Sequence, residues 1–281
     1  MISKDEISVR FPKLSGVVDF RSGGQKRVFR ATHAEYGDVA LKFISPQTQF
    51  ERVEREIEVV KRLNIENVPK IYETGYAELA GEKMFFMLEH FVDGMTLREK
   101  YASSETCPRM SKEEAVGLLR AMLGVIVQLE QGHVIHRDIK PENILVGSDQ
   151  KYWLIDFGAA RDMDGSTLTL TGKCAPMTPG YAAPEQFKFE LRKQLDSRAD
   201  LFALGVTVYE LLSGRHPFYH TGYGLYDVLR STVTMTADTL DIPGDERGEL
   251  AGFIKTLMQK NPAFRPPTAQ WAKLIFEGLQ I

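Results

Sequence analysis

Short apolar, β-branched runs dominate the first part of the chain, and helical periodicities replace them later. Val17-Val18-Asp19-Phe20, Arg27 to Ala31 and Val39 to Ile44 are strand-like runs separated by Gly and polar residues. Between Gln49 and Asn64 the period changes. Phe50, Val53, Ile57, Val60 and Leu63 recur at three- and four-residue steps, which predicts an amphipathic helix that Pro69 cannot simply continue. Lys70-Ile71-Tyr72 and Met84 to Leu88 are two further strand-like runs. The chain turns near Val92-Asp93-Gly94. Ser111-Lys112-Glu113-Glu114 then has the form of a capping box. Behind it Ala115, Leu118, Leu119, Met122, Leu123, Ile126 and Leu129 trace one helical face, with Gly132 as its stop. Ala199 to Leu212 and Leu250 to Gln259 read as buried helices. The pattern predicts an α+β chain with two lobes. A small β-rich lobe with one helix occupies residues 1–88, a hinge 89–94, and a larger, mainly helical lobe 95–281.

Composition narrows this little. The chain has 281 residues, 43% of them hydrophobic and 26% charged, as in ordinary globular proteins. A net charge of −3 gives no global pull toward nucleic acid or an anionic membrane. No run of about 18 apolar residues occurs, and the polar start Met1-Ile2-Ser3-Lys4-Asp5-Glu6 lacks the apolar stretch of a signal peptide. Two cysteines, Cys107 and Cys174, make no disulfide framework, which fits a reducing cytoplasm. Neither a nucleic-acid nor a membrane partner is expected.

The chemistry concentrates in His136-Arg137-Asp138-Ile139-Lys140-Pro141-Glu142-Asn143-Ile144-Leu145. Asp138 could take the proton of an attacking hydroxyl, and Asn143 could hold a metal ion. Asp156-Phe157-Gly158 follows with a second metal-binding carboxylate. Together, in this order and beside apolar runs, these segments resemble the eukaryotic-type (Hanks-type) protein serine/threonine kinase family. The likeness extends from about residue 17 to about 275. It implies the two-lobed protein kinase fold and transfer of the γ-phosphoryl group of ATP to a Ser or Thr hydroxyl of a protein substrate. Mg²⁺, with Mn²⁺ as the alternative ion, would sit on Asn143 and Asp156. Lys140 would stabilise the γ-phosphoryl oxygens, as serine/threonine-directed members of the family have it.

The resemblance also assigns the nucleotide side. Arg21-Ser22-Gly23-Gly24-Gln25-Lys26-Arg27-Val28 stands where the family has G-x-G-x-x-G-x-V; Gly23 and Val28 match, while Arg21 and Lys26 replace the outer glycines. Gly23 and Gly24 would let the backbone approach phosphate. Lys26 is read as a solvated loop lysine, with a phosphate contact as the alternative. Lys42, in Val39-Ala40-Leu41-Lys42, matches V-A-I-K, and Glu56 on the predicted helix is its expected partner, ahead of Glu54 and Glu58. Adenine would lie between Val28 and Ala40 on one side and Leu145 on the other. Backbone groups among Leu88, Glu89, His90 and Phe91 would meet its edge, and Glu89 would be an unusually polar residue controlling access behind it.

Downstream, Thr178 to Glu185 resembles the end of an activation segment. Asp200 resembles the aspartate that braces the catalytic loop, and Arg265 the arginine that pairs with Glu185. Gly-Tyr-Ala-Ala-Pro-Glu-Gln is a run seen in bacterial members, which suggests a bacterial source. Arg137 could pair with a phosphate on the activation segment, with Thr167, Thr169 and Thr171 as autophosphorylation sites and Thr178 placing the substrate hydroxyl. A regulatory partner protein is expected. Two rivals are a pseudokinase scaffold, which the altered glycine turn favours, and a small-molecule phosphotransferase, which the Ala183-Pro184-Glu185 element disfavours.

Overall fold

The computed structural model describes residues 2–23, 26–44, 50–101, 109–157, 178–187, 195–220 and 222–281, with side chains throughout except at 21–26 and 50–56. Gly24, Gly158, Thr167, Thr169, Thr171, Cys107 and Cys174 lie outside the described residues. The chain divides into two units, residues 1–64 with 69–93, and residues 65–68 with 94–281.

The first unit is built on an antiparallel sheet of order β1-β2-β3-β5-β4. The strands are β1 (Leu14–Gly23), β2 (Lys26–His33), β3 (Gly37–Ile44), β4 (Ile71–Leu79) and β5 (Glu82–His90). Its register separates two faces, because residues directly opposite in antiparallel strands project to the same side. Phe29 opposes Leu41, Ala31 opposes Val39, Leu41 opposes Leu88, and Phe43 opposes Phe86. These make the apolar face. The other face carries Val28 opposite Lys42, Arg30 opposite Ala40, Lys42 opposite Met87, and Ala40 opposite Glu89.

The sequence pattern expects one helix in this unit, and the structure has two. Helix α1 (Lys4–Arg10) starts at a capping box in which Ser3 and Glu6 satisfy each other's backbone N–H. Ile7 is fully buried in the apolar face, and Phe11 stacks edge-on against Phe86 with centroids 4.9 Å apart. Helix α2 (Phe50–Leu63) forms where the three-and-four spacing places it, burying Ile57 and Val60. Leu63, expected on the same face, is exposed, because the helix ends there and Asn64 turns into a left-handed conformation at φ 46°.

The second unit opens with a small antiparallel sheet of β6 (Gly94–Thr96), β7 (Ile144–Gly147) and β8 (Tyr152–Leu154). Residues 65–68 are tied into it: the Asn67 side chain donates to the Tyr152 carbonyl at 2.9 Å, and the Leu154 N–H donates to the Asn67 carbonyl at 2.8 Å. A short helix α3 (Leu97–Lys100) follows β6. Helix α4 (Lys112–Gln131) begins at the Ser111–Glu114 capping box and ends at Gly132, and every apolar residue expected on its inner face is buried. It packs against α5 (Ser197–Ser213) and α8 (Ala269–Glu277), and α5 packs against α7 (Glu249–Leu257). Helix α5 is buried nearly all round, so it shows little amphipathic pattern. It ends at Gly214, whose φ of 72° suits a residue without Cβ. Helix α6 (Leu225–Thr234) and α8 were not evident from the sequence pattern.

Candidate active site

In the second unit the catalytic-type residues lie on a loop between α4 and β7, held from beneath by α5. Asp200 is the support. Its Oδ2 accepts the His136 N–H and its Oδ1 the Arg137 N–H, each at 2.8 Å. Asp200 is 1% exposed, and burial pushes its carboxyl up, against the pull of His136 and the two N–H donors. Burial likewise pushes the His136 imidazole down, against the pull of Asp200 and Asp138, and its ring stands edge-on to Phe157 at 4.8 Å. Arg137 sits in the left-handed region at φ 69°, a conformation unfavourable for a long side chain and held by this clamp.

The clamp aims Asp138. Lys140 Nζ lies 2.7 Å from Asp138 Oδ2, and the Thr178 hydroxyl donates to Asp138 Oδ1 at 3.1 Å. Lys140 also donates to the Thr178 hydroxyl. Asn143 donates its amide to the Asp138 carbonyl and to Oδ2, both at 2.8 Å. With the amide nitrogen so engaged, Asn143 Oδ1 remains as the acceptor for a cation. The Ile155 N–H donates to the Asn143 carbonyl at 2.9 Å, which brings Asp156, the next residue, beside this turn. Asp156 is also left-handed, at φ 70°. An amide oxygen and a carboxylate are hard oxygen donors, which fit Mg²⁺ or Mn²⁺ rather than a soft metal.

The sequence-predicted support residues meet as well. Arg265 forms a two-pronged pair with Glu185, Nη1–Oε1 at 2.6 Å and Nη2–Oε2 at 3.0 Å. Its remaining donors go to the carbonyls of Gln259, Arg198 and Lys260. Gln186 ties the same turn to the catalytic loop through the Arg137 carbonyl. Leu145 is buried on β7.

One partly buried network was not read from the sequence. Arg98, on α3, pairs with Glu142 at 2.7 Å and with Glu210 at 2.8 Å, and also meets the Tyr181 hydroxyl. Tyr181 in turn donates to Glu210. Its members come from four separate parts of the chain, so no local spacing announces it.

In the first unit, Val28, Ala40 and Lys42 share the non-core face of the sheet. Lys42 is ion-paired with Glu89, and both are buried. Glu56 lies on α2, but its side chain is outside those described. Gly23 is the last residue of β1. The His90 N–H donates to the Lys70 carbonyl at 2.9 Å and the Phe91 N–H to the Asp38 carbonyl at 3.1 Å, so these two of the backbone groups expected among Leu88, Glu89, His90 and Phe91 are engaged.

A family model described as protein kinase domain matches residues 21–275. Serine/threonine-protein kinase TIO of Arabidopsis thaliana is 29% identical over 248 residues, 86% of this chain and 17% of that protein. The probable serine/threonine-protein kinase SCO3848 of Streptomyces coelicolor is 34% identical over 208 residues, 70% of this chain and 29% of its own. Serine/threonine-protein kinase PknL of Mycobacterium tuberculosis is 33% identical over 227 residues, 76% of this chain and 54% of its own. The chain thus spans from about a sixth to about half the length of these relatives. The crystal structure of the M. tuberculosis PknI kinase domain superposes with a TM-score of 0.67 at 23% identity, covering 94% of this chain and 96% of that one, a likeness of fold.

Proposed function

The chain belongs to the protein kinase domain family, and from that premise we propose that it transfers the γ-phosphoryl group of ATP to serine or threonine hydroxyls of a protein substrate. The observation that carries this reading is the Asp138 carboxylate, oriented by Asn143 and flanked by Lys140 and Thr178. In the reaction the substrate hydroxyl oxygen bonds to the γ-phosphorus, the bond to the β-phosphate oxygen breaks, and ADP leaves. Asp138 takes the hydroxyl proton. Phosphoryl transfer needs positioning and charge neutralisation more than covalent help.

Lys140 supplies positive charge beside Asp138, where transferred oxygens gain negative charge. Thr178 is already hydrogen-bonded to Asp138, at Oδ1, and it places the incoming hydroxyl. Asn143 and Asp156 would hold Mg²⁺, or Mn²⁺ in its place, which would neutralise phosphate charge. Lys42 would take the α- and β-phosphates, assisted by the Gly23–Gly24 turn, with Val28 and Ala40 as the first unit's apolar contacts of the base. Since the His90 and Phe91 N–H groups are used within their own unit, Val92, whose N–H has no partner among the described residues, is the backbone donor best suited to the base edge. Autophosphorylation at Thr167, Thr169 or Thr171, with Arg137 as the phosphate's cationic partner, and control by a partner protein complete the reading. No helix among the described residues is long and apolar enough to cross a membrane.

Incubation with Mg²⁺ and γ-labelled ATP, with a generic basic protein as acceptor, tests it. Label is expected on Ser or Thr of the chain or the acceptor, and Asp138→Asn should abolish it. Nucleotide binding without transfer would instead make the chain a scaffold.

A further inference from the structure

The sheet face opposite the apolar core holds a buried ion pair whose two members both stand on strands of the sheet. Lys42 is 5% exposed and Glu89 6% exposed. They stand on β3 and β5, which are zipped in unbroken register from Val39↔His90 to Ile44↔Phe85. Lys42 opposes Met87 and Glu89 opposes Ala40, so the two side chains rise from the same face one diagonal step apart. The carboxylate and the ammonium are in direct contact.

An ammonium removed from water needs a counter-charge, and a buried carboxylate needs one equally. Neither strand has another element's freedom to withdraw: separating the two backbone positions means unzipping the ladder. An ammonium has three N–H donors. The contact with Glu89 is one ion pair, and three donors are more than one carboxylate oxygen uses.

We propose that Glu89 is the positioning residue of Lys42, a counter-ion within the sheet that keeps the ammonium directed on the face shared with Val28 and Ala40. The inference rests on the reading of Lys42 as the phosphate ligand. It makes the placement of Lys42 a property of β3 and β5, independent of where helix α2 and its Glu56 stand. It also assigns Glu89 a role different from contact with the base.

Two variants separate charge from shape. Glu89→Gln keeps the shape and loses the charge; Glu89→Asp keeps the charge and loses one methylene, which the flexible lysine stem can follow. Steady-state turnover with Mg-ATP should fall at least about tenfold in kcat for Glu89→Gln and stay within about threefold for Glu89→Asp. Melting temperatures report that both fold. Should Glu89→Gln not fold, Glu89→Met, which brings no new polar group to the site, is measured in its place. Wild-type or faster turnover in Glu89→Gln would overturn the proposal, and so would a larger loss in Glu89→Asp than in Glu89→Gln, which is the order that packing alone would give. Lys42→Met is the separate control. If it retains turnover, the phosphate role of Lys42 fails; if it is inactive while Glu89→Gln is not, only the role of Glu89 fails.

Discussion

Asn143 donates its side-chain amide to both the carbonyl and the carboxylate of Asp138, at 2.8 Å each. The short 3-10 turn Pro141–Asn143 brings it back over the loop for this purpose. The bond to the carbonyl fixes Asn143 against the loop, the bond to the carboxylate holds the Asp138 rotamer, and the Asn143 oxygen is left for a cation. Asn143→Ala removes both functions and leaves the Asp138 carboxylate to Lys140 and Thr178. We expect kcat to fall roughly 10²-fold or more, the scale of losing one preorganised donor at a charged centre. Single-turnover phosphoryl transfer measures this, and a variant close to wild-type rate would show that Asn143 is only structural.

The Glu185–Arg265 pair predicts a stability effect instead. Arg265 is 3% exposed and divides its donors between Glu185 and three carbonyls. Removing it leaves an uncompensated carboxylate inside the second unit. Arg265→Met should lower unfolding free energy by about 3–5 kcal/mol. Adding Glu185→Leu should recover part of the loss, since the stranded charge goes with it, though the three carbonyls remain unserved. Urea unfolding of the single and double variants checks this; a double variant no better than the single would place the cost in the carbonyls.

These residues also show what sequence can and cannot reveal. Asp138, Asn143 and Asp156 are legible because short-range spacing sets their chemistry: a loop of five residues has to return the amide to the carboxylate. Asp200 and Arg265 are legible only as charges among apolar neighbours, made specific by family likeness. The helix α1 was missed although its signal is present. Ser3-Lys4-Asp5-Glu6 is a capping box, and Ile7 and Phe11 stand one helical turn apart on one side. Lys42 was legible as a buried lysine that needs an anion. Its contact with Glu89 depends on β3 pairing with β5 in one register, and a slip of one residue would put Glu89 on the core face. The Arg98 cluster lies furthest from sequence, because Glu142, Tyr181 and Glu210 meet it only through the packing of the second unit.

His216 predicts an acid limb in stability. Its Nδ1 accepts the Phe218 N–H at 3.1 Å, and its ring stands edge-on to Tyr181 at 4.9 Å. Burial pushes its imidazole down to about 4; Glu210 and Glu142 pull it up, and Arg98 and His220 add to the fall. The folded value lies below the ordinary 6.5. As pH falls from about 6.5 to about 4, the unfolded chain takes a proton that the folded chain refuses. Stability therefore drops with falling pH across this window, by up to about 3 kcal/mol. His216→Asn keeps an acceptor near Nδ1 and cannot titrate. Urea unfolding at pH 7 and pH 4.5 should show a smaller loss in this variant than in wild type; equal losses would remove His216 as the cause.

Lys260 predicts the opposite case, a site where a substitution stabilises. Its Nζ lies 3.2 Å from the Phe218 ring centroid and 5.5 Å from that of Phe202. It is buried with no hydrogen-bond partner among the described residues. Burial, then the neighbouring Arg265 charge, push the amine down to about 7 from 10.5. Below about pH 7 the amine is charged in both folded and unfolded chains, and the folded chain bears the full cost. Between about 7 and 10.5 the folded chain sheds the proton first, so stability rises with pH. The Phe218 face returns about 1–2 kcal/mol of the cost through its attraction for a cation. Lys260→Met keeps the stem and the aromatic contact and removes the charge. It should stabilise the protein by about 1–2 kcal/mol at pH 6.5, a figure discounted for the partly exposed stem, and the gain should shrink toward zero near pH 10. Unfolding free energies of the two proteins at both pH values decide it. A variant that is no more stable at pH 6.5, or whose advantage grows with pH, would mean that the ammonium is already paid for by the aromatic faces around it.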